Sequence, residues 1–228
     1  MPDNTALLPV ESARNLGVIF DSHLTFSQQL SSLTKSCYYH IRDLNRIRNC
    51  LDLESAKTVA TSFIHSKLDY CNSLYLNLPS YFINRLQLIQ NATARAVTRI
   101  RKSAHITPVL KSLHWLKVPQ RIHFKILSLT YNALQFGQPS YLHQLLAVQN
   151  SRNTRSSTSL TLKRPYNPSR LIITDRSFYF QAPVLWNSLL ASFRQHSPPN
   201  SSFPLFLSPK QFLAKLKTHL FKHSYSPT

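Results

Sequence analysis

PSYFINRLQLIQNATARAVTRIRKSAHITPVLKSLHWLKVPQRIHFKILSLTYNALQFGQPSYLHQLL, residues Pro79 to Leu146, is the stretch that decides the fold. Ser80 is placed to cap a helix that carries Phe82, Leu86, Ile89, Thr93, Ala96, Val97 and Ile100 along one face. Those gaps of three and four residues are the spacing that a buried helical stripe needs. Arg85, Asn91, Arg95, Arg99 and Lys102 fall on the opposite faces. Thr107-Pro108 reads as N-cap plus first helical residue, since a first turn needs no amide donor and proline's φ already suits it. That short helix is expected to end near His114-Trp115-Leu116. Pro119 opens the next one, buried along Ile122, Ile126, Leu129, Ala133 and Leu134. Gly137 stands where a left-handed C-terminal residue is wanted, and Pro139 prevents continuation.

Outward to the N-terminus, Asn15 to Phe20 reads as one short buried strand, too apolar to stand alone at an edge. Thr25 with Gln28 has the form of a capping box. From Phe26 to Arg48 a helical stripe runs through Leu30, Leu33, Cys37, Ile41, Leu44 and Ile47. Asp52, with Ser55 after it, opens a helix whose expected face is Leu53, Ala56, Val59, Phe63, Ser66 or Lys67, and Tyr70. Outward to the C-terminus, residues 149–159 have the Ser, Asn and Arg content of a linker. Leu160 to Leu162, Leu171 to Ile173 and Ser177 to Phe180 read as short strands, the first two flanking a Pro165–Pro168 turn. Ala182 to Leu189 suits a short helix and residues 194–207 a loop. Ser208-Pro209 caps a last amphipathic helix with Phe212, Leu213, Leu216 and Leu220 on one side.

The fold class expected is therefore mainly α. It is a helical bundle with a short N-terminal strand, followed by a loop-rich tail with a few short strands and a last amphipathic helix. Residues 1–24 form a junction, 25–148 the helical domain and 149–228 a basic, loop-rich region.

With 228 residues, 43% hydrophobic and 11% aromatic, there is material for a real core. Only Gly17 and Gly137 are glycine, which all but excludes phosphate-cradling loops and dinucleotide fingerprints. No apolar run reaches the roughly 18 residues of a membrane span, and the first residues lack a secretory layout, so an intracellular, membrane-free protein is expected. Cys37, Cys50 and Cys71 are odd in number, widely spaced and without a CxxC pair, and read as small helix-face residues.

Charge carries the functional information. The formal net charge is +19. Residues 1–78 hold seven basic and seven acidic side chains, whereas the rest holds 20 basic groups and one acid, Asp175. An imbalance of this size implies a polyanionic partner, nucleic acid first and an anionic membrane second. Arg95, Arg99, Arg101, Lys102, Lys111, Lys117, Arg121 and Lys125 are the candidate backbone contacts. They lack the acidic neighbours at i,i+4 that a solvated helix face carries. Tyrosines, His114 and Trp115 interleave with them as stacking groups, although a core and turn element is the better reading of the His114-Trp115 pair.

Leu16 to Phe26 (LGVIFDSHLTF) resembles the segment following the polymerase palm in LINE-type, non-LTR retrotransposon reverse transcriptases. So do Leu68 to Asn72 (LDYCN), Leu86 to Arg95 (LQLIQNATAR), Leu113 to Leu116 (LHWL) with Arg121 to Ile126 (RIHFKI), and Asp175 to Phe178 (DRSF) with Ala182 to Leu189 (APVLWNSL). These stretches follow the family order over nearly the whole chain; Lys117 and Leu190 stand where the family has proline. The resemblance implies a helical thumb that grips template and primer backbones. It also implies that the metal-binding aspartates, Tyr-x-Asp-Asp among them, lie upstream of what is matched. Tyr-x-Asp-Asp does not occur in this sequence. The expectation is a fragment without the catalytic palm and without enzymatic activity or cofactor, binding RNA or DNA regardless of sequence. A missing palm is then a further possible partner, packing on the Leu16–Phe20 run.

Other constellations are weaker. His219 and His223, one turn apart, lack a third metal ligand and a base, so no metal site is expected. Cys71 with His65 lacks anything to orient the imidazole. Asp52 and Glu54 suit a helix N-terminus rather than a two-metal site. The competing class is a helical protein-interaction module or a relic with no specific partner, separable by the salt dependence of binding.

Overall fold

The computed structural model describes residues 10–149, 159–166, 172–197 and 204–225. Most of the expected linker, the Leu171 end of an expected strand and the middle of the 194–207 loop lie outside those residues. The protein is mainly helical, with one two-stranded antiparallel sheet near the N-terminus.

That sheet corrects the reading of Asn15 to Phe20 as a single strand. Strands β1 (Ser12–Asn15) and β2 (Val18–Asp21) pair in the register Asn15 with Val18 and Ser12 with Asp21. Leu16 and Gly17 form the connecting turn at φ 46° and 82°, the positive angles that a two-residue primed hairpin turn demands. Leu16 is 83% exposed, and the Tyr70 hydroxyl holds its carbonyl at 2.6 Å. Val18 is buried, while Phe20 meets Phe26 edge-on. The β2 edge is stitched to the first helix where Ile19 N–H donates to Gln29 Oε1 at 3.0 Å.

Helix α1 (Ser27–Ile47) buries Leu30, Leu33, Cys37, Ile41 and Leu44 as expected, but Ile47 is exposed. The Thr25–Gln28 capping box is not formed. Phe26 occupies the N-cap at φ 60°, and the Asp21 carboxylate takes the amides of Thr25 and Phe26 at 2.8 and 2.7 Å instead. Asp52 caps α2 (Leu53–Ala60) by accepting Ser55 N–H, as expected.

The face of that helix is corrected. The chain runs on through a π-helical turn, Thr61–His65, into α3 (Ser66–Asp69). It buries Ala56, Ala60, Ile64 and Leu68, while Leu53, Phe63 and Tyr70 are exposed. Close approach to neighbouring helices selects the alanines, and a four-residue repeat follows the wider π turn rather than the bulkiest side chains.

Helix α4 (Ser80–Thr98) buries the expected line from Phe82 to Val97, with Pro79 rather than Ser80 at its N-cap. It ends at Arg99, left-handed at φ 57°, so Ile100 lies beyond the helix and is half-buried. Helix α5 (Ile106–Ser112) starts after His105, which moves Thr107-Pro108 inside the first turn. Proline is tolerated there because those amides have no intrahelical partner. Helix α6 (Val118–Phe136) closes as expected on Gly137, at φ 66°, whose N–H donates to the Ala133 carbonyl. The short α7 (Ser140–His143) follows.

Past residue 159 two expected strands are helices: α8 (Ile172–Asp175) and α9 (Phe178–Ser188). The aromatic run at Phe178 favours strands locally, but Phe178 packs on the core and the run continues into the Ala182–Ser188 helix, so tertiary context wins. Leu160 to Leu162 is no strand: Leu162 forms an isolated bridge to Val148, and Ser159, just before the run, one to Gln195. Helix α10 (Pro209–Tyr225) starts with a true capping box: Gln211 N–H donates to Ser208 Oγ, and Ser208 N–H to Gln211 Oε1.

Two apolar clusters meet on α6. One, around α1, α2, α4 and α5, takes Val118, Ile122 and Ile126 from it. The other takes Leu127, Tyr131 and Leu134 and closes them under Leu160, Leu162, Trp186, Leu205, Phe212 and Leu216. Of the cysteines only Cys37 lies on a helix face, where burial pushes its thiol up to about 11. Cys50 is exposed in a 3₁₀ turn, and Cys71 has φ 51° before another.

Candidate nucleic-acid interface

The eight candidate cations do not form one surface. Arg95, Arg99 and Lys102 line a cleft of about 750 Å³ between α1 and the C-terminal end of α4, and among the described residues no carboxylate lines it. Arg101 is exposed in the turn beside Lys102. Lys111 and Lys117 lie 5.7 and 5.2 Å from the ring of Tyr225, at the end of α10. Arg121 and Lys125 line a separate hollow of about 350 Å³ with Asp69 and Lys217.

Their chemistry differs as much as their places. Arg121 is not a free cation: its Nε donates to Asp69 Oδ1 at 2.8 Å and its Nη2 to Oδ2, a bidentate pair that joins α3 to α6. Arg99 is the left-handed residue that ends α4, and it donates to the Arg48 carbonyl at 2.6 Å. Arg48 itself is buried at the cleft floor, donating to the carbonyls of Val97 and Leu51 at 2.8 and 2.6 Å. Arg95 reaches the Ala104 carbonyl at 3.4 Å, while its Nε has no partner among the described residues. Lys102, Arg101 and Lys125 are exposed and extend into solvent.

Trp115 leaves the list of stacking groups. It is buried edge-on against His65 at 4.1 Å, so no base reaches it. His114 stays exposed, 5.8 Å from Phe221.

The structure adds residues that the sequence reading passed over. Lys35, Tyr38 and Arg42 lie on one exposed face of α1, and Tyr38 also lines the cleft. Arg42 sits over the Tyr39 ring at 5.4 Å. Their spacing of three and four residues was legible; the even charge balance of residues 1–78 hid them, because its acids are engaged elsewhere, Asp43 of the same helix with Arg46 among them. Asp52 and Glu54 serve a helix start, and Asp69 is taken by Arg121.

The motif stretches act as junctions. Gln90 Nε2 donates to the Leu116 carbonyl, Gln87 Oε1 accepts from Val118 N–H, and Arg176 donates to the Leu24 carbonyl at 2.7 Å. His219 and His223 meet edge-on at 4.6 Å, and among the described residues no group of three or more His, Cys, Asp or Glu is placed to hold a metal ion. Among the same residues no helix is long and apolar enough to cross a membrane. No family model, curated protein or solved structure matches the chain.

Proposed function

We propose that the chain is the post-palm, thumb-like part of a non-LTR retrotransposon reverse transcriptase and holds RNA or DNA by its backbone, without sequence preference, along the α1–α4 cleft. The carrying observation is the cleft itself, lined by Arg48, Arg95, Arg99 and Lys102 without a carboxylate. Cations without acidic partners create a field that a phosphate backbone relieves. The family part of the reading rests on the quoted stretches and on their order along the chain.

The test is the salt dependence of binding. If Arg42, Arg95, Arg99, Arg101 and Lys102 each neutralise one phosphate of a single strand, log affinity falls against log salt with a slope of about −3.5. That is roughly a 130-fold loss between 50 and 200 mM salt. Arg101→Glu with Lys102→Glu is the informative variant: both side chains are exposed and hold no element in place. Arg99 is unsuitable, because it ends α4 and bonds to Arg48. The double variant should bring the slope to about −2 and weaken low-salt binding at least tenfold. A wild-type slope near zero would transfer the proposal to a protein partner, for which the exposed Leu53, Phe63 and Tyr70 offer apolar surface.

The same reading assigns the chain no nucleotide transfer of its own, because Tyr-x-Asp-Asp does not occur in it. Incubation with primed template, nucleotides and Mg²⁺ or Mn²⁺ should yield no extension; product that persists through a second purification would contradict it.

A further inference from the structure

Taking the nucleic-acid reading as its base, we infer that the α1–α4 cleft receives an unpaired nucleobase, stacked on Tyr38 over Leu88, while Arg95 and Lys102 hold its flanking phosphates. The cleft combines two kinds of surface that a backbone alone does not need. Its rim is cationic, yet Tyr38 is 44% and Leu88 57% exposed at its mouth, and Ile41 and Ala96 lie deeper. A phosphate satisfies the rim and leaves the apolar part wet. An apolar peptide covers the apolar part but strips water from unpaired cations at a cost. A nucleotide has a flat apolar ring and an anion joined together, and so matches both.

Size and edge chemistry agree. About 750 Å³ lies within the range of small-molecule sites, which are apolar with a few placed polar groups. Asn45 and Asn49 supply exposed amides at the cleft wall, donor and acceptor together, so they suit the edge of any base and discriminate weakly. Tyr38 belongs both to this cleft and to the Lys35–Arg42 face, and a strand leaving the cleft therefore passes directly onto further cations. In a duplex the base faces are stacked and out of reach, which makes the site selective for single strands.

The experiment compares a labelled ten-nucleotide single strand, an abasic strand with the same number of phosphates, and a duplex of the same sequence, each titrated by fluorescence anisotropy at fixed salt. The wild type should bind the base-bearing strand about tenfold more tightly than the abasic one, the usual gain from one stacked base. Tyr38→Ala should remove that advantage and leave the abasic strand and the duplex unchanged; Tyr38→Phe, which keeps the ring, should retain it. Equal wild-type affinity for the two single strands overturns the base site while leaving backbone binding intact. A Tyr38→Ala loss that is as large on the abasic strand overturns it too. Failure to bind any of the three overturns this inference together with the reading it rests on.

Discussion

Trp186→Ala should cost about 4 kcal/mol of folding stability, the largest effect expected of any single truncation in the second cluster. The indole is fully buried, stacked near Phe212 at 6.0 Å, and its Nε1–H donates to the Leu160 carbonyl at 3.0 Å. Removing it leaves a large cavity and weakens the hold on that carbonyl, which keeps only a long contact to Arg194 at 3.4 Å. Trp186→Phe keeps a ring against Phe212 and loses the N–H, so about 1–2 kcal/mol is expected. Denaturant titration measures both. Trp115, the other tryptophan, reports from the first cluster. Because α6 contributes to both clusters, its fluorescence transition should shift along with the far-UV signal in Trp186→Ala. A loss below 1 kcal/mol would show that residues past 159 are a loose appendage.

That region is where sequence reading stops short, and the reason lies in its hydrogen bonding. Extended segments normally announce themselves by alternation because a neighbouring strand satisfies their backbone. Here side-chain amides on helices take that part. Asn187 on α9 both donates to the Leu162 carbonyl and accepts its N–H, at 2.7 and 3.0 Å. Gln135 on α6 does the same for Leu205, at 3.3 and 3.0 Å. The Tyr131 hydroxyl holds the Leu207 carbonyl at 2.6 Å. Buried backbone groups need partners, but nothing in the sequence says that a glutamine 70 residues away supplies them. The α4–α6 block was legible because apolar spacing, Pro119 and Gly137 agree with one another there. At α2 the same method chose the larger side chains and missed the alanines.

The candidate interface divides along a similar line. Sequence gives the sign and amount of charge, not what each cation already holds. Arg121 looks as free as Arg101 in the chain, yet one is paired with Asp69 and the other faces solvent. Lys35, Tyr38 and Arg42 become part of the site only when α1 is laid beside α4.

Acidification should unfold the protein well before its carboxylates titrate, and His65 is the expected cause. Its ring is 2% exposed within the π-helical turn, edge-on to Trp115, and its Nε2 has no hydrogen-bond partner among the described residues. Burial, with the nearby Arg121 cation adding to it, pulls its pKa from the ordinary 6.5 down to about 3. The folded protein thus holds His65 neutral while the unfolded chain protonates it, so stability present above pH 6.5 is lost as pH falls toward 3. Between pH 6.5 and 4.5 that loss is roughly 2–3 kcal/mol. His123, also lowered by burial, acts in the same direction, whereas the low-pKa carboxylates Asp21 and Asp52 titrate below this window. Self-repulsion from the +19 charge also works against the folded state, so wild type alone does not isolate one residue. His65→Leu does, since it removes the titrating group and leaves the surface unchanged. Denaturant melts at pH 6.5, 5.5 and 4.5 should show the variant losing about 2 kcal/mol less than wild type across the series. Equal losses in the two proteins would mean that His65 accepts a proton in place, and that the Trp115 pocket is more hydrated than its packing implies.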